Sequence, residues 1–170
     1  WRADIPETIS IDYDAPNVAE NLHECHLRSA IIGECVKRLL RAVGHTVIGD
    51  IHMGDWGLPM GQLITEVKRE SPDLPYFDAA FSGPYPEQSP VSLDDLERLY
   101  PQASAACKAD PARAAEARQA TAELQSGRPG YRALWRHFLE VSRAAIEREY
   151  ADLGVTFDWW KGEADADPLI

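Results

Sequence analysis

Apolar and polar residues change their spacing several times along the chain, and each change marks an element. In "TISIDY", residues 8–13, they alternate around the β-branched Ile9 and Ile11, the period of a half-buried strand. "DAPN" breaks the run. From Leu27 the period lengthens: Leu27, Ile31, Cys35 and Leu39, with Ile32, Val36, Leu40 and Val43, recur at three- and four-residue steps. This spacing predicts an amphipathic helix, which Gly44 stops. "HTVIGDI", residues 45–51, is a short β-branched run, so the order is strand, loop, helix, strand. That is a βαβ unit, for which parallel strands joined by a right-handed crossover are the rule.

The stretch 71–90 carries Pro72, Pro75, Pro84, Pro86 and Pro90 and reads as a long ordered loop. Helical signals follow. Ser92 with Asp95 resembles a capping box, Asp110-Pro111 is an N-cap followed by proline in the first turn, and Gly127 ends an Ala-rich run. Pro129 opens a further helix, from about 130 to 153, with Leu134, Phe138, Val141, Ala145 and Ile146 on one side. "VTFDWW", residues 155–160, returns to strand character. The pattern predicts an α/β architecture: a βαβ nucleotide-binding half over 8–70, a Pro-rich loop and helical insertion over 71–153, and a return to the sheet over 154–170.

Composition narrows the function classes. The 170 residues are 45% hydrophobic, enough for one ordinary core, so one soluble domain is expected. No apolar run approaches the ~20 residues of a membrane helix, and "WRADIPETI" lacks the basic-then-apolar pattern of a signal peptide. The expectation is a cytoplasmic protein with no membrane partner. Cys25, Cys35 and Cys107 are odd in number and show no CxxC spacing, which suggests neither a disulfide framework nor a zinc ribbon. The net charge of −11 argues against a general nucleic-acid surface, and no DNA partner is expected. The basic residues concentrated in 28–41 and 128–148 read as solvated helix faces, so any RNA contact would be local.

The loop between the first strand and the helix carries the candidate chemistry, in "NVAENLHECHLRSAIIG". A helix N-terminus after a parallel strand offers unpaired N–H groups and a partial positive charge to an anion. An imidazole beside a phosphate donates a hydrogen bond to oxygens that gain charge as the α-phosphorus is attacked. His23 and His26 could act so, although no GxxxxGK[ST] loop is present. As plain residues, they are equally ordinary loop histidines. A rival assignment makes His23, Cys25 and His26, with Glu24 or Cys35, a zinc site, against which adjacent residues rarely all point at one ion. On their own, Asp12 reads as a strand-end cap and Asn17 as a turn residue after Pro16.

Three segments taken together, "PNVAENLHECHLRSAIIG", "GHTVIGDIHMGDWGLPMGQLI" and "YADLGVTFDWWKGEADADPLI", resemble the catalytic domain of arginyl-tRNA synthetases, over nearly the whole chain. The resemblance implies a Rossmann-like, class I synthetase parallel-sheet nucleotide-binding half-domain with an α-helical insertion. It also implies activation of L-arginine by ATP with Mg²⁺ as co-substrate, no tightly bound cofactor, and transfer to tRNA(Arg). Carried over by residue, His23 and His26 match the two histidines of the family's HIGH motif, and Cys25 the glycine between them, all three against ATP. Asp12 and Asn17 match positions that hold arginine: a carboxylate suits a guanidinium or ammonium, and an amide suits the α-amino end. Asp55 and Trp56 of "GDWG" are expected to serve a turn and the core.

The ATP loop departs from the family's A-K-P-x-H-x-G-H, reading Ala19-Glu20-Asn21-Leu22-His23-Glu24-Cys25-His26. Glu20 stands for the lysine, Asn21 for the proline, Glu24 for an apolar residue and Cys25 for the glycine. A Cβ and sulfur at Cys25 would occupy space that a base or sugar takes against bare backbone. At an effective dielectric near 20, unit charges about 4 Å apart interact by about 4 kcal/mol, so one inverted charge costs several factors of ten in ATP affinity. No KMSKS-like loop is present in these residues. The chain alone is therefore expected not to charge tRNA. An alternative is a non-catalytic synthetase-like module that binds a protein partner through its insertion helices.

Overall fold

The computed structural model describes residues 2–167. Trp1 and residues 168–170, which the family resemblance and the sheet-return segment include, lie outside the described residues. The described chain divides into two compact units, one holding residues up to Asn17, Asn21–Gly54 and those from Ala145 on, the other Val18–Glu20 and Asp55–Ala144.

The first unit is built on a parallel sheet. Strands β1 (Thr8–Asp12), β2 (Thr46–Met53) and β3 (Trp159–Gly162) lie in the order β1-β2-β3, with helix α1 (Glu24–Ala42) between the first two in sequence. The register pairs Thr8 with Thr46 and Asp12 with Asp50, then Asp50 with Trp159 and Met53 with Gly162. Gly44, at φ +105°, ends α1 as the sequence predicts.

The amphipathic reading of α1 is corrected in one respect. The helix turns Ala30, Gly33, Glu34 and Lys37 inward, while Ile31, Ile32, Val36 and Leu39 are exposed. Close approach decides this. A Cβ at Gly33 would stand 2.2 Å from the Tyr13 ring, so only a hydrogen fits there. The inward charges are satisfied: Lys37 Nζ lies 2.7 Å from Glu34 Oε2 and donates to Tyr13 Oη and Thr156 Oγ1, both at 3.0 Å. Thr156 N–H and Arg38 Nε donate to the two Glu34 oxygens at 3.1 and 2.7 Å. Burial pushes the Glu34 carboxyl up, but the bonds from Lys37, Thr156 and Arg38 outweigh it and hold it at about 2.

The strand expected over 155–160 is displaced to β3. Residues 155–158 spend their polar groups elsewhere: Val155 N–H returns to the Tyr150 carbonyl, Asp158 N–H reaches the Gly49 carbonyl at 2.8 Å, and Phe157 stacks on Tyr13 at 4.6 Å.

The second unit is helical. Helices α2 (Leu58–Glu70), α3 (Leu93–Ala109), α4 (Pro111–Gln125) and the first part of α5 (Pro129–Asp152) enclose Leu63, Ile64, Leu96, Leu99, Leu124 and Leu134. A short α6 (Glu163–Ala166) follows β3 in the first unit. The sequence reading assigned no element to α2, whose start carries Gly57, Pro59 and Gly61. Pro59 sits in the first turn, where its missing N–H costs nothing, and a Cβ at Gly61 would stand 2.2 Å from the Ala117 carbonyl oxygen. The Ser92–Asp95 capping box and the Asp110 N-cap form as expected. The Pro-rich loop is anchored by buried Tyr76, whose hydroxyl bonds His137 Nε2 at 3.0 Å. No described helix is long and apolar enough to cross a membrane.

Candidate functional site

The parallel register puts the end of β1 and the N-terminus of α1 in succession, and the connecting loop runs alongside β2. His52 N–H donates to the Asp14 carbonyl at 3.1 Å, Gly54 N–H to the Pro16 carbonyl at 3.0 Å, and Asn17 forms an isolated parallel bridge with Gly54. Asp14 is buried: its Oδ1 accepts Ala15 N–H at 2.9 Å and its Oδ2 accepts the Tyr150 hydroxyl at 2.6 Å. Burial and this bond to Asp14 push the Tyr150 hydroxyl well above the ordinary phenol range. A Cβ at Gly54 would stand 2.2 Å from Asn17 Oδ1, so the glycine gives the Asn17 amide its place. Asp12, one end of this arrangement, has a largely exposed side chain.

At the other end the two histidines cap α1. His23 is the N-cap, in extended conformation, and its Nδ1 accepts Cys25 N–H at 3.3 Å; His26 Nδ1 accepts His23 N–H at 3.3 Å. Their ring centroids are 3.9 Å apart with planes tilted by 31°. A neutral imidazole carries one N–H, and a nitrogen that accepts cannot carry it, so both rings hold their hydrogen on Nε2. Two donors therefore accompany the positive end of a 19-residue helix. The helix begins at Glu24, three residues before the apolar spacing suggested, because the cap is made of histidines rather than the usual Ser, Thr or Asp.

Cys25 is exposed in the first helical turn, and Ala19, at φ +67°, is the described non-glycine residue with positive φ. Cys25 thus sits on ordinary helical backbone, with no strain at that position. Glu20 accepts a hydrogen bond from the Tyr100 hydroxyl, which burial and then this carboxylate push upward. Ala19 N–H donates to buried Ser142 Oγ at 3.0 Å.

The zinc assignment finds no support in these contacts: the Nδ1 atoms of His23 and His26 are spent on backbone N–H groups, and among the described residues no three His, Cys, Asp or Glu side chains come together to hold an ion. Asp55 and Trp56 are buried, with the Trp135 Nε1–H donating to the Asp55 carbonyl at 2.7 Å, Trp135 edge-on to Trp56 at 5.2 Å, and Arg132 over the Trp56 ring at 4.4 Å. Trp56 is thus a core residue.

A model of the family described as tRNA synthetases class I (R), catalytic domain, matches residues 2–169. The chain belongs to the arginyl-tRNA synthetase family. Among similar relatives, the arginine–tRNA ligase of Maricaulis maris is 59% identical over 97% of this chain, and that of Alkaliphilus oremlandii is 56% identical over 97%. The chain spans about 28% of the length of each of these arginyl-tRNA synthetases. The crystal structure of arginyl-tRNA synthetase from Plasmodium falciparum superposes with a TM-score of 0.71 at 24% identity, covering 96% of this chain and 25% of that one. That likeness shows a class I synthetase, Rossmann-like fold.

Proposed function

We propose that this chain is the ATP- and arginine-handling part of an arginine–tRNA ligase, with His23 and His26 against the phosphates of ATP and Asp12 and Asn17 against arginine. The observation that carries this reading is the histidine cap, which fixes both Nε2–H groups as donors at the α1 N-terminus. In the activation step an arginine carboxylate oxygen attacks the α-phosphorus. The bond from that phosphorus to its bridging oxygen breaks, and pyrophosphate departs with the electron pair. The Nε2–H donors stabilise the charge that gathers on the phosphate oxygens, and the helix end adds to their effect. Mg²⁺ would accompany the triphosphate as part of the co-substrate. Transfer of arginine to tRNA(Arg) would follow, in the cytoplasm where protein synthesis runs.

Cys25 lies between the two histidines in sequence and Glu24 adds negative charge in the first turn, which weakens ATP binding. Equilibrium dialysis with labelled Mg·ATP and with L-arginine tests the reading: both bind, and His26→Ala lowers ATP retention. Absence of binding by either ligand contradicts it. Arginylation of tRNA by this chain alone is expected to be undetectable. The partner-module alternative places an apolar surface on the insertion helices, yet the exposed large apolar side chains among the described residues avoid α3, α4 and α5.

A further inference from the structure

Val18, Ala19 and Glu20 lie in sequence between the stretch bonded to β2 and the histidine cap, yet they pack with the helical unit and not with the sheet. Val18 is fully buried and Ala19 is 2% exposed. At φ +67° Ala19 stands in the left-handed region, where a Cβ crowds the neighbouring carbonyl oxygen. A residue keeps such a conformation only where its surroundings impose it. Two contacts do so here. The Ala19 N–H donates to Ser142 Oγ at 3.0 Å, and Ser142, on α5 in the same unit, is itself 1% exposed. The Glu20 carboxylate accepts the hydroxyl of Tyr100 on α3. A buried N–H left without an acceptor is costly, so the Ser142 hydroxyl decides which way the Ala19 peptide faces. Core packing accounts for Val18, but not for an alanine at a φ that glycine would take freely.

We infer that Ser142 and Tyr100 are positioning residues for the ATP loop, holding Ala19 in its left-handed turn and thereby fixing the path of the chain from Asn17 to His23. Ser142 sets the direction of the turn. Tyr100 keeps the Glu20 carboxylate engaged, so that the charge standing for the family's lysine does not swing toward the phosphates. Both act through the loop and neither touches ATP. The inference rests on the reading of His23 and His26 as ATP ligands. Asn17 is fixed separately, by its bridge to Gly54, so arginine binding does not depend on Ser142 or Tyr100.

The test is equilibrium dialysis of the full chain against labelled Mg·ATP and, separately, L-arginine. Ser142→Ala should lower Mg·ATP affinity by roughly 5-fold, the scale of one hydrogen bond, with L-arginine affinity unchanged. The same change should cost less in an Ala19→Gly background, because glycine takes a positive φ without help. Tyr100→Phe, which removes one oxygen from a half-buried ring, should give a similar loss and serves where Ser142→Ala does not fold. Adding Glu20→Gln to Tyr100→Phe should restore the affinity, since no charge is then released. Unchanged Mg·ATP affinity in both Ser142→Ala and Tyr100→Phe overturns the positioning role and leaves the ATP reading standing. An equal penalty for Ser142→Ala with and without Ala19→Gly overturns the part assigned to the turn. Equal loss of ATP and arginine also overturns the inference, because the residues would then serve the fold. Failure of the unsubstituted chain to retain Mg·ATP overturns the reading and the inference together.

Discussion

The two histidines carry a double duty that substitution separates. Each closes one hydrogen bond of the α1 cap through Nδ1, which leaves Nε2–H to donate elsewhere. His23→Asn keeps an N-cap acceptor, so thermal stability should change by only a few tenths of a kcal/mol, whereas His23→Ala should cost about 1 kcal/mol. Both variants should lose Mg·ATP retention in dialysis; retention by His23→Asn would show that the ring does not touch phosphate. Cys25→Gly removes the side chain between the histidines and should raise ATP affinity while costing about 0.5–1 kcal/mol of helix stability. An unaltered affinity would mean the thiol stands clear of the nucleotide. Of the groups in this site, Asp12, Asn17, His23 and His26 stand on legible motifs. Tyr150, which holds Asp14 from 136 positions away, does not, since a contact of that separation leaves no local pattern. Gly54 lay within a quoted motif, but its close approach to Asn17 is visible only in three dimensions.

Among the elements, α1 shows where periodicity and packing part. The three- and four-residue spacing found the helix correctly and named the wrong face. The approach of Gly33 to Tyr13 and the neutralised Glu34–Lys37 pair overrode the apolar stripe. Breaking that pair with Lys37→Met leaves Glu34 buried with Arg38, Thr156 and the Tyr13 hydroxyl as remaining donors, and should destabilise the fold by about 3 kcal/mol in urea unfolding. The same carboxyl sets a pH dependence. Its folded value of about 2 lies below its ordinary value of 4.5, so its stabilising contribution is complete above that ordinary value and is lost as pH falls from there toward 2. Glu34→Gln should flatten the acid limb of melting temperature against pH in that window; an unchanged limb would assign acid sensitivity to other groups. Helix α2 and the displaced β3 escaped the sequence reading for related reasons. Gly61 of α2 serves close packing rather than a loop, and Val155 enters the core while Phe157 stacks on Tyr13, neither joining the ladder.

For the whole molecule, the exposed stripe of Ile31, Ile32, Val36 and Leu39 has a measurable consequence. The chain should self-associate as concentration rises, and Ile32→Glu with Leu39→Glu should lower the mass seen by light scattering without altering circular dichroism. A monomer at every concentration would contradict this. Relatives of which this chain spans about 28% have further residues with which to cover such a stripe. The central claim is that the histidine-capped end of α1 receives the phosphates of ATP. A ¹H–¹⁵N correlation spectrum of the chain titrated with Mg·ATP tests it most directly. The account predicts dispersed peaks in which Asn17, His23, Cys25 and His26 shift progressively, with weak affinity, while the resonances of α3 and α4 stay in place. A well-dispersed spectrum in which those four residues do not move at saturating Mg·ATP would contradict it.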